Sequence, residues 1–386
     1  MSSPGVDVAV VGGGLIGLAI AWRAAQDGAR VALVDPSPGS GASRVAAGML
    51  APVTEVHFGE EQLLALNLAA ARRWESFAEE LEEVSGLSCG YRRVGTLAVG
   101  FDADDRTALE DLADYQRSLD LEVEVLSARE CRTLEPLLSP QVGGGLLVPG
   151  DRSVDNRRVL AALRAACRSA GVAEHAVAAE ALETAAGRVR AVRVGDGTRL
   201  EADRVVLASG AASGALAGVP AGVLPPVRPV KGQILRCRVP AAYHPLVTHT
   251  VRGLARGRPI YLVPRDDGEL VIGATAEEKG FDRSVTAGAV YDLLRAATGL
   301  VPLVAEVELA ETTAGLRPAT PDNAPVLGPT TLEGLVLATG HYRNGVLLTP
   351  VSADAVAAVL RGEPLPDGAR PFSPARFGAG AAAALS

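Results

Sequence analysis

The sequence predicts an α/β fold, α+β overall, in which a parallel-sheet domain is assembled from separated segments around an inserted antiparallel sheet. Three observations support this prediction. The chain has 386 residues, which is more than one hydrophobic core usually serves. It begins with a strand–helix–strand pattern, and a strand–loop–helix pattern returns near residue 340. Between them lie several short apolar runs separated by turns, which are typical of antiparallel strands.

The first elements form a β-α-β unit of about thirty residues. Residues 6–11 are an apolar run rich in valine, which predicts a buried parallel strand. Residues 18–27 predict a helix that ends at Gly28. Residues 31–34 predict a second strand, which closes on Asp35. A parallel sheet covered by helices therefore begins here.

Helices and strands alternate after this unit, and strands dominate from residue 189. Asp155 predicts the N-cap of a helix that continues to residue 170. Arg252 to Arg258 form a basic, glycine-rich segment that is either an active-site lid or a solvated turn, and the turn is favoured slightly. The predicted elements are helices at 60–83, 104–119, 156–170 and 346–360, and strands at 93–101, 189–194, 199–202, 204–208, 230–239, 259–263, 269–273 and 332–339.

Composition excludes some classes of protein. The formal net charge is −8, which argues against nucleic acid as a partner because phosphate binding needs a basic surface. The four cysteines show no C-x-x-C spacing, which favours free thiols in a reducing cytosol and no metal site. No basic segment precedes the first apolar run, and no run approaches about 18 apolar residues. We therefore predict a soluble, cytoplasmic protein without a membrane partner.

A glycine-rich loop joins the first strand to the first helix. Gly12-x-Gly14-x-x-Gly17 allows a tight turn, a close approach of backbone to a pyrophosphate, and close helix–strand packing. The helix N-terminus adds N–H donors and a partial positive charge. Asp35, 18 residues after Gly17, is placed to accept hydrogen bonds from ribose hydroxyls, which disfavours NADP. The loop predicts a Rossmann-like dinucleotide site, and by itself it is compatible with either NAD or FAD.

Further segments occur in a fixed order after this loop. They are Ala46-Ala47-Gly48-Met49-Leu50, Val206-Leu207-Ala208-Ser209-Gly210, Pro229-Val230-Lys231-Gly232-Gln233, Tyr261-Leu262-Val263-Pro264-Arg265, Ala314-Gly315-Leu316-Arg317-Pro318 and Gly340-His341-Tyr342-Arg343-Asn344-Gly345. Together with the glycine loop, the set closely resembles the glycine oxidase (ThiO) family of D-amino-acid-oxidase-like FAD enzymes. The resemblance covers nearly the whole chain.

The resemblance implies FAD as cofactor and a small amino acid and oxygen as substrates. Arg317 matches the arginine that pairs with the substrate carboxylate, and a guanidinium fork suits that geometry. Tyr261 matches a tyrosine that helps hold the carboxylate. Arg343 matches the position that contacts the substrate amine through its backbone carbonyl. Met49 lies near the flavin and the substrate.

The cofactor contacts that we predict combine the glycine loop with the segments of the resemblance. They are Gly12, Gly14, Leu15, Ile16, Gly17, Asp35, Pro36, Ser43, Ala47, Gly48, Met49, Val177, Ser209, Gly210, His341, Tyr342, Arg343, Asn344, Gly345, Val346 and Leu347. No general acid or base is predicted, because orientation and the flavin's own chemistry suffice. Lys231 is predicted to have a structural role, as a salt bridge or in backbone positioning, and not to be a catalytic lysine.

The predicted FAD-binding domain comprises residues 1–88, 144–222 and 312–386, and the substrate-binding domain comprises 89–143 and 223–311. The resemblance implies oxidation of glycine to an imine, then glyoxylate, ammonia and hydrogen peroxide, in thiamine thiazole biosynthesis, by a homotetramer. Two alternatives stay open: an oxidase of N-substituted glycines or small D-amino acids, and a flavin carrier without turnover. Ala319, where many relatives have glycine after Arg-Pro, leaves the substrate side chain open.

Overall fold

Two eight-stranded sheets organise the computed structural model, which describes residues 5–255 and 258–378. Within these residues the helices are α1 Leu15–Gln26, α2 Ala42–Val45, α3 Glu61–Ser85, α4 Ala103–Ser118, α5 Ala128–Leu134, α6 Asn156–Ser169, α7 Ala287–Leu300 and α8 Thr349–Leu360. The strands are β1 Val6–Val11, β2 Val31–Val34, β3 Met49–Leu50, β4 Thr96–Gly100, β5 Glu124–Ser127, β6 Gly144–Val148, β7 Arg152–Ser153, β8 Ala173–His175, β9 Ala179–Ala185, β10 Arg188–Val194, β11 Arg199–Leu207, β12 Arg228–Arg238, β13 Thr250–Ala255, β14 Arg258–Pro264, β15 Glu269–Gly273, β16 Glu308–Ala319, β17 Val326–Pro329 and β18 Leu335–Thr339.

The first sheet has a parallel centre in the order β18-β11-β1-β2-β8. Strand β1 lies at the centre of this sheet. Its side chains from Val8 to Val11 are all buried, as expected of a strand covered on both faces. Helices α1, α3, α6 and α8 pack on one face around Trp22, Trp74 and Phe77. Strands β9 and β10 extend the sheet as an antiparallel hairpin from β11. The predicted Rossmann-like domain is confirmed.

The second sheet runs in the order β16-β12-β15-β14-β13-β4-β6-β5, and all its neighbours except β13 and β4 are antiparallel. Its two faces bury different partners, as strand alternation requires. Leu235, Leu262 and Ile272 pack with α7 in one apolar cluster. On the opposite face, Ile234 packs against Ala47 of the first domain. This second face therefore lies against the parallel-sheet domain and forms one wall of the site.

Several predicted boundaries are confirmed and several are corrected. Asp155 caps α6 by accepting from the N–H groups of Arg157 (2.9 Å) and Arg158 (3.2 Å). Helix α1 begins at residue 15 and not 18, because the glycine loop leads directly into its first turn. Helix α8 begins at residue 349 and not 346, because a short 3₁₀ turn at 342–344 precedes it. The predicted strands 199–202 and 204–208 form one continuous strand, β11.

The basic segment 252–258 was predicted as a loop, and the structure corrects this. Strand β13 extends through Ala255, and Arg252 pairs in register with Tyr261 of β14. Arginine, glycine and aliphatic residues here join a hairpin, and the neighbouring strands β4 and β15 supply the pairing that the local sequence does not indicate. Residues 256–257, at the centre of the predicted lid or turn, lie outside the described residues.

The predicted domain boundaries stay a prediction, and sheet membership bears on two of them. Strand β6 begins at residue 144, where the prediction re-enters the FAD-binding domain, yet it pairs with β4 and β5 of the antiparallel sheet. Strand β16 covers residue 312, the other predicted re-entry point, and pairs with β12 along its length. These pairings favour moving both boundaries towards higher residue numbers.

Candidate active site

A cavity of about 620 Å³ lies between the two sheets, a volume typical of cofactor and small-molecule sites. One end is lined by the glycine loop and the first turn of α1. The middle is lined by residues 39–43 and 45–49 and by residues 208–212 after β11. The other end is lined by the face of the antiparallel sheet and by residues 341–343, 345 and 346. The cavity thus extends from the carboxyl ends of the parallel strands to the wall formed by the second sheet.

Close backbone packing explains the glycines at the first end. Gly12 has φ +112°, and a Cβ there would lie 2.5 Å from the carbonyl oxygen of Ala208. A Cβ on Gly17 would overlap the carbonyl oxygen of Gly12. These contacts bring α1 against β1 and β11, so that the N–H groups at its N-terminus line the cavity. The geometry fits a bound pyrophosphate.

Asp35 secures the glycine loop. Its carboxylate accepts hydrogen bonds from the N–H of Gly13 (2.6 Å) and the N–H of Ser37 (2.7 Å). Ser43 adds a second tie, because its Oγ accepts from the N–H of Leu15 (3.0 Å). A carboxylate has about four acceptor positions, so Asp35 retains capacity for the ribose hydroxyls of a ligand in the cavity that it lines.

The segment 43–48 presents backbone to the cavity. Gly48 has φ +77°, and a Cβ there would overlap the carbonyl oxygen of Val154. Side chains from the antiparallel sheet and α6 take the carbonyl oxygens of Arg44, Ala46 and Ala47. Among the described residues, the N–H groups of Ala47 and Gly48 have no acceptor. Unsatisfied donors beside a cavity indicate a ligand with acceptor atoms.

Arg317 and Tyr261 stand on the same face of the antiparallel sheet. Arg317 pairs with Val230 of β12, while Tyr261 pairs with Gly273, which in turn pairs with Ile234 of β12. Two positions lack side chains where these residues lie: the Arg317 guanidinium covers Gly232, and the Tyr261 ring covers Gly273. Arg317 Nη1 donates to the carbonyl of Thr275 (3.0 Å), which leaves other guanidinium donors for a ligand.

Burial and ion pairing determine the charge states of the polar side chains at the antiparallel-sheet end of the cavity. Burial raises the pKa of Tyr261, so its hydroxyl stays neutral and is able to donate. Burial lowers the pKa of His341 to about 3, and its neutral ring is held by Ser352 Oγ at 2.9 Å from Nε2. The guanidinium of Arg343 forms an ion pair with Glu60, so its charge is already paired within the protein.

Most predicted site residues line this one cavity. They are Gly12, Gly14, Leu15, Ile16, Asp35, Pro36, Ser43, Ala47, Gly48, Met49, Ser209, Gly210, Tyr261, Arg317, His341, Tyr342, Arg343, Gly345 and Val346. Four predicted cofactor contacts are placed behind the lining: Gly17, Val177, Asn344 and Leu347. Gly17 packs on Gly12, and the carbonyl of Leu347 accepts from Trp74 Nε1 (2.8 Å). Ala178 and Ala179 line the wall beside Val177.

Several lining residues were missed by sequence reasoning. Glu55 lines the cavity and forms an ion pair with Arg252 (2.7 Å between Oε1 and Nη1). Phe281 and Arg283 reach the cavity from the segment after β15. Lys231 on the far face forms the predicted structural salt bridge, with Nζ 2.7 Å from Asp282. The sequence offers one signal for Glu55, which is its position shortly after the small-residue run 46–50. It offers no signal that the segment near residue 281 lines the cavity.

Comparison with known proteins decides the family. A family model described as "DAO: FAD dependent oxidoreductase" matches residues 7–359. The chain belongs to this family of FAD-dependent oxidoreductases. The predicted cofactor, FAD, and the predicted family resemblance are therefore confirmed, and the glycine cradle, the α1 N-terminus and the unpaired N–H groups of Ala47 and Gly48 fit that cofactor.

Two relatives within the family are similar to this chain over most of its length. A "Bifunctional protein ThiO/ThiG" of Synechocystis sp. is 35% identical over 375 residues, 96% of this chain and 54% of the relative. The chain thus spans about half the length of that bifunctional protein. A "Glycine oxidase" of Geobacillus kaustophilus is 35% identical over 372 residues, 95% of this chain and 96% of the relative. The crystal structure of glycine oxidase from that organism superposes with a TM-score of 0.89 at 34% identity, covering 96% and 98% of the two chains.

Two further findings concern metal sites and membrane-spanning helices. No group of three or more His, Cys, Asp or Glu side chains in this part of the chain is arranged to hold a metal ion. None of the helices in residues 5–255 and 258–378 combines the length and apolar character needed to cross a membrane. All four cysteines fall in these ranges and are buried and unpaired. Burial raises the pKa of the Cys89 thiol to about 12, which makes it a poor nucleophile.

Proposed function

We propose that this chain oxidises glycine in an FAD-dependent reaction, giving the imine and, after hydrolysis, glyoxylate and ammonia, with hydrogen peroxide formed from oxygen. The observation that carries the proposal is the juxtaposition of Arg317 and Tyr261 on the wall of the FAD cavity. A carboxylate clamp has no use in a flavin carrier. The glycine oxidase similar to this chain supports glycine as substrate. A relative from Rhizobium etli named "Putative thiamine biosynthesis oxidoreductase ThiO", 34% identical over 92% of this chain, supports thiamine biosynthesis as the pathway.

Substrate binding follows from the free hydrogen-bonding groups of the sheet wall. The Arg317 guanidinium is able to take a carboxylate through two parallel N–H donors, and Tyr261 adds a neutral O–H donor. The ammonium group is proposed to approach the backbone carbonyl of Arg343, because the guanidinium of that residue is already paired with Glu60. Three attachment points fix the orientation of the Cα–H bond, which is the main contribution the protein makes to such a reaction.

A small side chain is favoured by the surroundings of the clamp. Met49 and Tyr261 pack with Ala47 and Ile234 in one apolar cluster, which restricts the space beside the substrate α-carbon and excludes bulk water. Bound FAD supplies the hydride acceptor and the route for electrons to oxygen. The substrate ammonium first loses a proton to water, and loss of hydride from the resulting amine leaves a protonated imine, which water hydrolyses. His341 is not proposed as a general acid or base, because burial lowers its pKa to about 3 and keeps its ring neutral.

One experiment separates the candidate activities. The purified holoenzyme is supplied with glycine, sarcosine, longer N-alkyl glycines and D-alanine, and peroxide is measured. We expect the highest kcat/KM with glycine. A preference for N-alkyl glycines or D-alanine would replace the substrate while keeping the oxidase reaction. A yellow protein that gives no peroxide with any of them would be a flavin carrier and would overturn the proposal.

We also propose a cytoplasmic homotetramer. Four buried free thiols are compatible with a reducing compartment, and the resemblance to the glycine oxidase family supports the tetramer. Size-exclusion chromatography with light scattering tests the assembly, and a monomer at micromolar concentration would contradict it.

The association with thiamine synthesis predicts that loss of this gene product creates a thiazole requirement, which growth with and without added thiazole tests.

A further inference from the structure

Two buried arginines and one asparagine join the antiparallel sheet and α6 to the cavity loop. Arg236 and Arg265 are 1% and 3% exposed, and Asn156 is fully buried. Asn156 Nδ2 donates to the carbonyls of Ser43 (2.7 Å) and Arg44 (3.1 Å). We call these three side chains, Asn156, Arg236 and Arg265, the loop clamp.

The arginines of the loop clamp complete the capture of the carbonyl groups. Arg236 Nη2 donates to the carbonyls of Arg44 (3.3 Å) and Ala46 (3.4 Å). Arg265 Nη2 donates to the carbonyl of Ala47 (2.6 Å). In addition, both arginines contact Asn156 Oδ1, at 3.3 Å and 3.4 Å. The clamp therefore holds the loop from one side through main-chain atoms alone.

The geometry of the peptide bond determines where the N–H groups of the same loop point. In a trans peptide the N–H of the next residue points opposite to the carbonyl. With the carbonyls of Ala46 and Ala47 held on the arginine side, the N–H groups of Ala47 and Gly48 point to the other side, where both residues line the cavity. These N–H groups lack acceptors among the described residues. The clamp thus sets the direction of two donors that face the FAD site.

Arg265 differs from Arg236 in its charge balance. Arg236 forms an ion pair with Glu269. Within the described residues no carboxylate lies within ion-pair distance of Arg265, and its Nε and Nη1 are buried without hydrogen-bond partners. Burial lowers the pKa of Arg265 to about 10, so it stays charged at neutral pH. A buried charge without a direct ion pair is costly, although the carboxylates of Asp155 and Glu269 act on it through space and raise its pKa. Arg265 lies one peptide behind the cavity wall, with Nη2 3.2 Å from where a Gly48 Cβ would be.

We propose that Arg265 is a positioning residue for FAD: with Arg236 and Asn156 it orients the N–H groups of Ala47 and Gly48 towards the cofactor, and its unpaired charge favours flavin reduction. Reduction adds negative charge, which a nearby buried cation stabilises. The inference rests on the FAD site of the proposed function and not on the identity of the amino acid substrate.

Three substitutions separate charge from hydrogen bonding. Arg265→Lys keeps the charge and one donor, Arg265→Gln keeps a donor without charge, and Arg265→Met removes both. Arg204→Met is the matched control, because Arg204 Nη1 also donates to two main-chain carbonyls, those of Val359 (2.7 Å) and Leu360 (2.8 Å), away from the cavity. For each holoenzyme, without any amino acid, we measure the flavin midpoint potential, the FAD dissociation constant and the melting temperature.

We expect the equilibrium constant for two-electron reduction to fall about tenfold in Arg265→Gln and Arg265→Met, which is about 30 mV. Arg265→Lys should retain the parental potential. The FAD dissociation constant should rise about tenfold in Arg265→Met, on the scale of a charged hydrogen bond, and remain parental in Arg204→Met. If Arg265→Met does not fold, the Lys and Gln variants still decide the charge effect.

A purely structural role gives a different result. Parental potentials in both the Gln and Met variants, or in Gln alone where Met does not fold, would overturn the proposal, whatever the melting temperatures. A Lys variant that shifts the potential as far as Gln would also overturn it. Because no amino acid is present, these outcomes do not depend on whether glycine is the substrate. Failure of glycine oxidation with normal flavin shifts would instead reject only the proposed substrate.

Discussion

The two walls of the cavity recognise ligands by different means. The wall from the parallel sheet, residues 12–17 and 46–48, offers backbone N–H groups and glycines that permit close approach. The wall from the antiparallel sheet offers side chains, chiefly Arg317 and Tyr261, on strands that pair through β12 and β15. Backbone recognition suits a large cofactor with phosphates and a flat ring, whereas a small carboxylate needs a charged fork. Substitutions on the two walls should therefore affect different steps.

Arg317→Ala should have the largest effect. Leaving a buried carboxylate without its partner typically costs about 3–5 kcal/mol, so kcat/KM for glycine should fall by about a hundred- to a few thousand-fold. Arg317→Lys should recover only part of this, because an ammonium does not reproduce the fork. Steady-state peroxide assays measure the change, and FAD content is the control.

Near-parental activity in Arg317→Ala, or loss of FAD together with activity, would contradict the assignment of substrate binding to one wall and cofactor binding to the other. The carboxylate anchor would then be sought first at Arg252, which lies in register with Tyr261, and next at Arg256 and Arg258. Residue 256 lies outside the described residues, and the structure describes only the backbone of residue 258.

Asp35→Ala tests the parallel-sheet wall. The change removes acceptors for the Gly13 and Ser37 N–H groups and for the proposed ribose contact. FAD binding should weaken by about 1–3 kcal/mol, the range of charged hydrogen bonds, while the KM for glycine in the FAD-saturated variant stays close to the parental value. Equilibrium dialysis of FAD measures the first and peroxide assays the second. Unchanged FAD retention would show that Asp35 serves neither purpose.

Asp151 is fully buried away from both walls and gives a pH-dependent effect. It accepts from Thr54 Oγ1 (2.6 Å) and the Val53 N–H (3.4 Å), and burial raises its pKa from 3.8 to about 6. The folded state therefore holds its proton more tightly than the unfolded state between pH 4 and 6, and the stability it contributes is lost as pH rises through 6.

Asp151→Asn stays neutral at all pH values. The free energy of unfolding of the variant minus that of the parent should increase by about 2 kcal/mol between pH 4 and pH 7.5, because the parent loses stability over this range and the variant does not. Urea titrations at the two pH values measure this difference, from which pH-independent effects of the amide cancel. A difference that does not vary with pH would mean that folding does not raise the pKa of Asp151, and would contradict the prediction.

Tyr261→Phe should have the smallest effect of the four. It removes one neutral hydrogen bond, worth about 0.5–1.5 kcal/mol, and keeps the ring that covers Gly273. We expect about a three- to tenfold loss in kcat/KM for glycine, with normal FAD content. A loss as large as that of Arg317→Ala would assign the tyrosine a role beyond holding the carboxylate.

Prediction succeeded where recognition depends on consecutive residues. The β-α-β unit, the glycine loop and Asp35 are local, since strand period, turn glycines and the closing acid all fall within thirty residues. Arg317 and Tyr261 came instead from a family resemblance, because an isolated arginine or tyrosine in a strand carries no local signal. The segment 252–258 was read as a loop because a β-hairpin with glycines and arginines depends on partner strands that its own residues do not indicate.

The sequence by itself determined the dinucleotide-binding unit, because backbone conformation there is dictated by glycine, by apolar period and by one carboxylate close in the chain. Only the tertiary structure decided which face of the antiparallel sheet meets that unit. It alone brought Glu55 to Arg252, and Arg265 and Arg236 to the carbonyls of the cavity loop. Such contacts join residues up to 218 positions apart, and their energies depend on sheet register and burial, which arise when distant strands pair.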